Sequence, residues 1–420
     1  MTPLRLGFIP LSDCAVLVIA RERGFFRRHG LDVTLCREVS WANIRDKVAV
    51  GALDGAQMLA GMPIAASVGI DPIARPLVTA FSLDLNGNAI TVSTALWARM
   101  LEADRASALA RPVTAAALRR VIDSDRQHGR APLRFAMVYP FASHNYELRY
   151  WLAAAGIDPD EDVELTVVPP PRMVEALERG AIDGCCVGEP WNSVAVRRGL
   201  GRIVATSYEV WNNSPEKVFA VRRSFAERRP EVHRAILCAL IEAAAWTDAA
   251  ENREAVARIL ADARFVGAPQ PLLATSLTGH LVRGPGEAAE PVPDFHVFHR
   301  YAANFPWTSH ALWLLTQMLR WGQLRAPIDL HAAAGSAYRP DLYRAAARDL
   351  GLAVPEIDLK REGTHAAPWQ LRGTAASVQM GSDLFCDGRE FDPAAPVSYV
   401  AGFAVRAASV RLDALAALNP

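Results

Sequence analysis

The chain carries the same structural unit twice. The first copy is marked, in order, by Pro3-Leu4-Arg5, Pro10-Leu11-Ser12, Gly30-Leu31-Asp32 and Gly51-Ala52-Leu53-Asp54-Gly55. The second copy repeats this order with Pro132-Leu133-Arg134, Pro140-Phe141-Ala142-Ser143, Gly156-Ile157-Asp158 and Gly180-Ala181-Ile182-Asp183-Gly184. Two copies of one β-loop-α-turn-β-α-turn-β unit predict two similar α/β lobes. Ligands of such sheets bind beyond the carboxyl ends of the strands, so we expect a ligand between the lobes.

Hydrophobic periodicity and turn residues predict the elements of both lobes. Strands are expected near residues 5–9, 32–35, 55–59, 77–81, 89–92, 134–138, 164–168, 184–187, 203–205 and 218–221. Helices are expected near residues 14–29, 43–50, 63–68, 144–155, 171–179, 190–198, 230–250, 254–261, 295–304, 309–320 and 340–350. The Ala- and Arg-rich segment 95–130 is expected to be helical, and segment 363–379 to lie at the surface.

Composition and charge narrow the class of protein. A chain of 420 residues with 51% hydrophobic residues can bury a large core. Its 45 basic residues balance 45 acidic ones, so no global charge attracts nucleic acid or an anionic membrane. The chain passes from Met1 directly into its first strand without a signal segment, and the apolar run 15–20 is too short to cross a bilayer. We therefore expect a cytoplasmic protein that contacts neither membrane nor nucleic acid.

The sequence lacks the common signatures of catalytic and metal sites. It has no Gly-rich dinucleotide loop, no phosphate-binding Walker loop, no Gly-x-Ser-x-Gly elbow and no His-Glu-x-x-His. Its six cysteines have neither a disulfide framework nor zinc-ligand spacing, and we interpret them as small buried residues. His296 and His299 form the only close histidine pair, on a segment predicted to be a peripheral helix. We therefore predict a binding protein, with no catalytic residue, metal or cofactor.

Several unusual residues lie on loops that face the predicted cleft, and each has a structural explanation as well. Trp41, just before a helix, would either fill the core or form a flat wall for a planar ligand. Asn88 could simply occupy a turn, His144 could cap a helix, and Lys217 could be solvated. The remaining candidates are loops that the prolines would rigidify, Pro169-Pro170-Pro171 and Gly188-Glu189-Pro190-Trp191.

Taken together, these residues and their neighbours resemble the nitrate-binding proteins of ABC transporters. In the first lobe, the resemblance rests on Leu6-Gly7-Phe8-Ile9-Pro10-Leu11-Ser12-Asp13, Gly24-Phe25-Phe26, Ser40-Trp41 and Asp54-Gly55-Ala56. Further along, it rests on Arg149-Tyr150-Trp151-Leu152-Ala153, Val168-Pro169-Pro170-Pro171, Asp183-Gly184-Cys185-Cys186-Val187-Gly188-Glu189-Pro190-Trp191-Asn192 and Pro215-Glu216-Lys217. Ser309-His310, Trp313, Arg320-Trp321-Gly322 and Phe391-Asp392-Pro393 extend it over nearly the whole chain.

The resemblance implies a fold. That family has a two-lobed, periplasmic-binding-protein-like α/β fold of type II, with the ligand cleft between the lobes. For this chain we expect lobe I at residues 1–90 and 213–420, including a helical C-terminal extension, and lobe II at residues 91–212.

The resemblance also implies a ligand site. The family's anion-contacting positions correspond to Trp41, Asn88, His144 and Lys217, with Pro170, Gly188 and Glu189 lining the same cleft. The transporter receptors carry Gln where this chain has Asn88, which leaves the choice between nitrate and nitrite open. Lys217 would balance the charge of a buried anion, while His144 and Asn88 would donate hydrogen bonds and the helix start near Asn43 would add backbone donors.

Three functions remain open at this stage. The start at Met1 favours the cytosolic nitrate/nitrite sensors of the NasS type, which hold a NasT-type RNA-binding antitermination regulator inactive until the anion binds. The alternative is the solute-binding receptor of a nitrate or bicarbonate ABC transporter. An enzyme on the same scaffold, like the pyrimidine-synthesis relatives of these receptors, is the third.

Overall fold

The computed structural model describes residues 1–72, 75–112, 114–407 and 411–419. Its strands are β1 Thr2–Phe8, β2 Leu31–Arg37, β3 Gly55–Leu59, β4 Leu77–Ser82, β5 Leu85–Asn86, β6 Asn88–Ser93, β7 Leu133–Met137, β8 Val163–Val167, β9 Gly184–Gly188, β10 Gly201–Thr206, β11 Lys217–Arg222, β12 His280–Leu281, β13 Glu290–Pro291, β14 His296–Val297, β15 Trp369–Leu371 and β16 Val378–Met380. Each predicted strand overlaps an observed one, from β1 to β4 and from β6 to β11.

The helices surround these strands. They are α1 Ala15–Glu22, α2 Phe25–Arg28, α3 Trp41–Val50, α4 Gly61–Ser67, α5 Thr94–Ala103, α6 Arg105–Leu109, α7 Ala116–Gln127, α8 Ser143–Ala154, α9 Met173–Glu178, α10 Trp191–Arg197, α11 Ser207–Val210, α12 Arg223–Arg228, α13 Pro230–Asp248, α14 Arg253–Leu260, α15 Gln270–Leu277, α16 Thr308–Arg320, α17 Leu330–Ala337, α18 Pro340–Asp349, α19 Pro396–Ala401 and α20 Leu412–Ala416. Short 3-10 turns span Ser12–Cys14, Pro170–Arg172 and Ala250–Asn252.

Two five-stranded mixed sheets confirm the two-lobed α/β fold. The first sheet has the order β2-β1-β3-β11-β4, in which β1 is parallel to β2 and β3 while β11 runs antiparallel to β3 and β4. The second has the order β8-β7-β9-β6-β10, with β7 parallel to β8 and β9, and β6 antiparallel to β9 and β10. Each sheet thus combines three strands of one repeat with two strands from elsewhere in the chain. The predicted lobe boundaries at residues 90 and 212 stay a prediction.

The repeated aspartate has the same structural role in both copies. The Asp54 carboxylate accepts a hydrogen bond from the backbone N–H of Arg5 at 2.8 Å, while the Asp54 N–H donates to the Arg5 carbonyl. Asp183 makes the same pair of hydrogen bonds with Arg134, also at 2.8 Å through its carboxylate. The turn before the third strand of each repeat is therefore fastened to its first strand, which explains why the Asp-Gly pair recurs.

Two helix predictions need correction. The predicted helix at residues 14–29 is divided, because Gly24 adopts φ = 76° between α1 and α2. The prediction of a helix at residues 295–304 is wrong, since His296 instead pairs with Asn86 in a short antiparallel bridge. The Asp248 carboxylate accepts the backbone N–H groups of Phe298 and Arg300, which binds this segment to the end of α13 in a non-helical path. His296 is buried there, not peripheral.

The remaining segments agree with the sequence in outline. Segment 95–130 contains α5, α6 and α7 in its described residues, as predicted. The C-terminal region contains α16 to α20, but residues 350–395 of it are non-helical. Segment 363–379 is mainly exposed, but it includes β15 and the start of β16, which form an antiparallel hairpin. In the described residues, no helix is both long and apolar enough to cross a membrane.

Candidate functional site

The two sheets bring equivalent strand ends together. Asn88 is the first residue of β6 and pairs in register with Gly188, the last residue of β9. Lys217 is the first residue of β11 and pairs with Leu59, the last residue of β3. Each polar residue therefore lies at the carboxyl end of the third strand of a repeat. This is the place where a sheet of this kind binds its ligand.

Contacts between the lobes close this region. The Ser12 N–H, after β1, donates to the Glu189 carbonyl, after β9, at 2.7 Å. The Ser143 hydroxyl, at the start of α8, donates to the Pro215 carbonyl at 3.0 Å. Because both contacts join a loop of one sheet to a loop of the other, the strand ends are shielded from solvent.

Lys217 lies at the centre of the buried region. Its side chain is fully buried, and its Nζ is 2.8 Å from Asp13 Oδ2 and also contacts Glu216 Oε1. Asp13 is fixed in turn by Gln57, whose amide donates to Asp13 Oδ1 while its oxygen accepts the Ile9 N–H. A buried ammonium is stable only with such partners. The carboxylates of Asp13 and Glu216, and not water, therefore stabilise the charge of Lys217.

Trp41 and His144 contact the same ammonium group and its partner. The Trp41 ring centroid is 5.6 Å from Lys217 Nζ, a separation at which a cation is attracted by an aromatic face. His144 Nδ1 is 3.4 Å from Glu216 Oε1 without hydrogen-bond geometry. Burial, reinforced by the charge of Lys217, lowers the pKa of His144 well below its usual value. The imidazole is therefore neutral and offers one N–H donor.

Asn88 belongs to a second buried group beside Lys217. Its Nδ2 donates to Glu147 Oε2 at 3.2 Å, and the Ser214 hydroxyl donates to Glu147 Oε1 at the same distance. The Asn88 Oδ1 atom has no hydrogen-bond partner although it is buried. With the carboxylate ionised, the amide must direct its NH2 toward Glu147, since two acceptor oxygens would repel each other.

Gly188 and Glu189 adjoin the buried group around Lys217 mainly through their backbone. A Cβ atom on Gly188 would lie 3.4 Å from both Asn88 Oδ1 and Asp13 Oδ2, so the missing side chain leaves room between these groups. Glu189 is buried, but its Oε2 accepts the N–H of Ser193, in the following helix α10, at 3.3 Å. Burial raises the pKa of Glu189 to about 7.

Pro170 is not connected to the other predicted residues. It is buried at the start of a 3-10 turn, and in the described part of the chain no hydrogen bond joins its carbonyl to any of the other six. The structure therefore brings together Trp41, His144 and Lys217 directly, and Asn88 and Gly188 beside them. Their roles as ligand contacts stay a prediction.

Carboxyl groups outnumber the cations of the site. Besides Asp13 and Glu216, Asp84 accepts the Lys217 N–H at 3.1 Å and Glu147 lies beyond Asn88. Burial raises the pKa of Asp13 despite the opposing effect of Lys217, raises that of Asp84 well above its usual range, and raises that of Glu147 to about 7. Protonated carboxyls can donate hydrogen bonds, so the site can accept an anion when protons reduce its negative charge.

The polar atoms of the site have unused hydrogen-bonding capacity. Buried atoms without a partner are Ser12 Oγ, Trp41 Nε1, Asp84 Oδ2, Asn88 Oδ1, both ring nitrogens of His144, Glu189 Oε1 and Glu216 Oε2. Buried polar groups normally have partners, and a cluster of exceptions indicates a place where a polar ligand binds. A cavity of about 690 Å³ lies elsewhere, between α10, α15 and residues 282–286, and none of the seven predicted residues lines it.

Sequence reasoning missed the acidic partners. Asp13 and Glu216 lie within the strings that carry the resemblance, and Glu216 is next to Lys217, whereas Asp84 and Glu147 lie outside these strings. Glu147 stood in the apolar sequence Tyr146-Glu147-Leu148, where an acidic residue on a buried helix face was an available signal. Among the described residues, no group of three or more His, Cys, Asp and Glu side chains is arranged to hold a metal ion.

Comparisons with known proteins identify the family of this chain. The model of the NMT1-like family matches residues 1–261. The nitrate/nitrite binding protein NrtA of Nostoc sp. strain PCC 7120 is 32% identical over 95% of this chain and 85% of its own length. The bicarbonate transport ATP-binding protein CmpC of Synechocystis sp. strain PCC 6803 is 39% identical over 84% of this chain and 50% of its own length. The chain spans about half the length of such longer relatives.

A solved structure extends the likeness to the fold. The crystal structure of the periplasmic nitrate-binding protein NrtA from Synechocystis PCC 6803 superposes with a TM-score of 0.84 at 29% identity. The superposition covers 96% of this chain and 98% of that one. The chain therefore belongs to the NMT1-like family and groups there with the nitrate-binding solute-binding proteins of ABC transporters.

Proposed function

We propose that this chain is a solute-binding protein that encloses nitrate or nitrite beside Lys217. The observation that carries the proposal is one fully buried ammonium group surrounded by unpartnered donors, at the carboxyl ends of two sheets. A planar oxyanion removed from water needs charge balance and a donor for each oxygen. Lys217 offers the positive charge when protons neutralise part of the carboxyl groups around it, and His144 and Trp41 offer N–H donors.

Closure of the lobes is essential to this function. Nitrate has four non-hydrogen atoms, and a ceiling of about −1.5 kcal/mol per atom allows roughly −6 kcal/mol, or a Kd of tens of micromolar. Such affinity requires contacts on every side of the ion. The hydrogen bonds between Ser12 and Glu189 and between Ser143 and Pro215 support a closed ligand-bound form.

Two biological roles fit an anion-binding protein of this kind. The similarity to NrtA along almost the whole chain supports the receptor of an ABC transporter that imports nitrate or nitrite. The sensor role, in the cytoplasm with a NasT-type antitermination regulator as partner, is the second proposal. Neither role uses catalysis, in keeping with relatives that are named as binding and transport proteins.

Calorimetry of the purified chain with nitrate, nitrite, bicarbonate and chloride tests the ligand. We expect nitrate or nitrite to bind and bicarbonate not to bind, because the relative that this chain matches over 85% of its own length is a nitrate/nitrite binding protein. Tighter binding of bicarbonate, with or without calcium, would overturn the nitrate proposal. Bicarbonate is a necessary competitor in this experiment because a bicarbonate transport relative is 39% identical.

Two further experiments separate the receptor from the sensor. Size-exclusion chromatography of the chain with a NasT-type regulator, with and without millimolar nitrate, should show a complex that dissociates with the anion if the protein is a sensor. A complex that ignores nitrate, or no complex, would leave the receptor role. Cell fractionation tests the cytoplasmic location that the sensor role requires.

A further inference from the structure

The Glu147 carboxyl is buried and is not among the predicted ligand contacts. It nevertheless determines the orientation of the Asn88 side-chain amide. We propose that Glu147 is a proton-operated positioning residue, which sets whether Asn88 presents an acceptor or a donor to the bound anion. The proposal rests on the proposed function, since it concerns how the same site takes up nitrate.

The geometry of the Asn88 and Glu147 pair carries the proposal. Both side chains are buried, with relative exposures of 0% and 2%. The Asn88 amide donates its Nδ2 to Glu147 Oε2 at 3.2 Å and leaves its Oδ1 without a partner. That free oxygen and Asp13 Oδ2 both lie 3.4 Å from the position of a Cβ on Gly188, and Asp13 Oδ2 contacts Lys217. The unpartnered oxygen therefore lies on the side of the anion site.

With Glu147 ionised, this arrangement opposes nitrate. Nitrate has only acceptor oxygens, so an Asn88 oxygen facing it is repulsive, as is the negative charge of an ionised Glu147. When Glu147 takes a proton from solvent, its O–H can donate to Asn88 Oδ1 after the amide rotates by about 180° about its last bond. The Asn88 NH2 group is then released to donate to nitrate. One proton enters with one anion: the O–H bond of Glu147 forms, and the bond of that proton to a hydronium ion or a buffer acid in solvent breaks.

The groups that face Glu147 tune this proton exchange. The Ser214 hydroxyl donates to Oε1 at 3.2 Å, and the Cys186 thiol approaches Oε2 at 3.9 Å. Lys217 acts through space and favours the ionised form, and Asp84 is a further acidic neighbour. Burial is the strongest influence and raises the pKa of Glu147 to about 7, in the range where a proton switch is useful. His144, one helical turn away on α8, is neutral.

Calorimetric titration of the intact chain with nitrate, from about pH 5 to about pH 9, tests the switch. We expect the affinity to fall about tenfold per pH unit above neutrality for each proton taken up with the anion. Repeating each titration in two buffers with different ionisation enthalpies counts these protons directly. Potassium chloride in place of nitrate serves as the control for ionic strength.

Glu147→Gln provides the decisive variant. Its amide NH2 can donate permanently to Asn88 Oδ1, as a protonated carboxyl would, while its oxygen still accepts from Ser214. We expect its nitrate affinity at about pH 8 to approach that of the parent at low pH, with about one proton fewer taken up. The same proton count in parent and variant, or a folded variant that has lost nitrate binding at every pH, would overturn the proposal.

Ser214→Ala keeps the proposal testable if Glu147→Gln does not fold. Removing the hydroxyl withdraws a hydrogen bond from the ionised form of Glu147, so the pKa of Glu147 should rise further. The midpoint of the pH dependence of nitrate affinity should therefore move to higher pH, and an unmoved midpoint would contradict the switch. If the parent binds neither nitrate nor nitrite at any pH, the proposed function fails. If it binds nitrate with pH-independent affinity, only the switch fails.

Discussion

Two buried lysines in this molecule are surrounded by the same residue types. They differ in the charge balance of their surroundings and in how many neighbouring polar atoms have hydrogen-bond partners. Lys217 contacts Glu216, which is 3.4 Å from His144, and the ammonium lies 5.6 Å from the Trp41 ring. Lys360 contacts Glu362, which is 3.4 Å from His310, and the ammonium lies 5.5 Å from Trp307, a distinct second cluster near the C-terminal helices.

The two clusters differ in charge balance. Around Lys360, Glu362 also accepts the Ser309 hydroxyl at 3.2 Å, and the lysine and histidine hold the pKa of Glu362 below its usual value despite its burial. Around Lys217, further carboxyls have raised pKa values and several polar atoms lack partners. Around Lys360, His310 Nε2 also lacks a hydrogen-bond partner. The Lys217 cluster has more unpartnered polar atoms, and therefore more capacity left for a ligand. The comparison teaches that residue types alone do not identify the site.

Replacing each lysine by methionine should give the largest measurable difference between the ligand-binding role of the Lys217 cluster and the stabilising role of the Lys360 cluster. Both Lys217→Met and Lys360→Met leave a buried carboxylate without its cation, and we expect each to cost about 3–5 kcal/mol of unfolding free energy at neutral pH. Only Lys217→Met should abolish nitrate binding. Urea unfolding and calorimetry of the folded fraction are the measurements. If the Lys360 variant, once folded, also loses nitrate binding, the two clusters do not have separate functions.

The pH dependence of stability should differ between the clusters. Glu147 and Glu189 have pKa values raised from 4.5 to about 7, so the folded state binds protons that the unfolded state has already released. Above about pH 7, the ionisation of these buried carboxyls lowers the free energy of unfolding. This loss is reversed as the pH falls toward the pKa of the unfolded state. For each of the two carboxyls, the free energy of unfolding should rise by roughly 3 kcal/mol as the pH falls from about 7 to about 4.5.

Glu362 has the opposite sign. Its pKa is lowered, so its contribution to stability is present above the unfolded pKa and is lost as the pH falls through the folded pKa. Urea unfolding without ligand should show Glu189→Gln flattening the rise in stability from neutral to mildly acidic pH. Glu362→Gln should lower stability at neutral pH and leave that rise in place. Parallel pH curves for the parent and Glu189→Gln would contradict the assignment.

The sequence predicted the scaffold well because local signals determine it. The repeated Asp-Gly turns identify both copies, and Asp54 and Asp183 each fasten a turn to a strand about 49 residues away in the same copy. The failed helix at residues 295–304 shows the limit of local signals. Its backbone donors go to Asp248, about 50 residues earlier, and no periodicity within the segment reveals that carboxylate.

The site was predictable only in part for the same physical reason. Lys217, His144 and Trp41 followed from the resemblance, and the structure places them in contact with one another or with Glu216. Asp84 and Glu147 act across 133 and 59 residues, on the Lys217 N–H and on Asn88. Glu147 stands in an apolar stretch, but the local sequence does not identify the partner of either carboxyl. Their chemistry depends on burial, which two folded lobes create together.

The two tryptophans provide the finest test of the comparison. Trp41 and Trp307 are both 1% exposed, and each lies about the same distance from its lysine. Trp41 Nε1 has no hydrogen-bond partner, and we predict that it donates to the anion. Trp41→Phe removes this donor and weakens the cation–π contact, which we expect to reduce nitrate affinity about tenfold, or about 1.4 kcal/mol.

Trp307→Phe is the matched control, because it makes the same change beside Lys360. Both variants keep an aromatic ring in a packed core, so similar small losses of stability are expected, on the order of 1–2 kcal/mol. The nitrate affinity of Trp307→Phe should equal that of the parent in calorimetry. Equal affinities for both variants and the parent would mean that Trp41 only fills the core, and the indole would no longer count among the ligand contacts. A loss confined to Trp41→Phe would assign the free indole donor to the anion, since burial, ring size and distance to lysine are matched in the control.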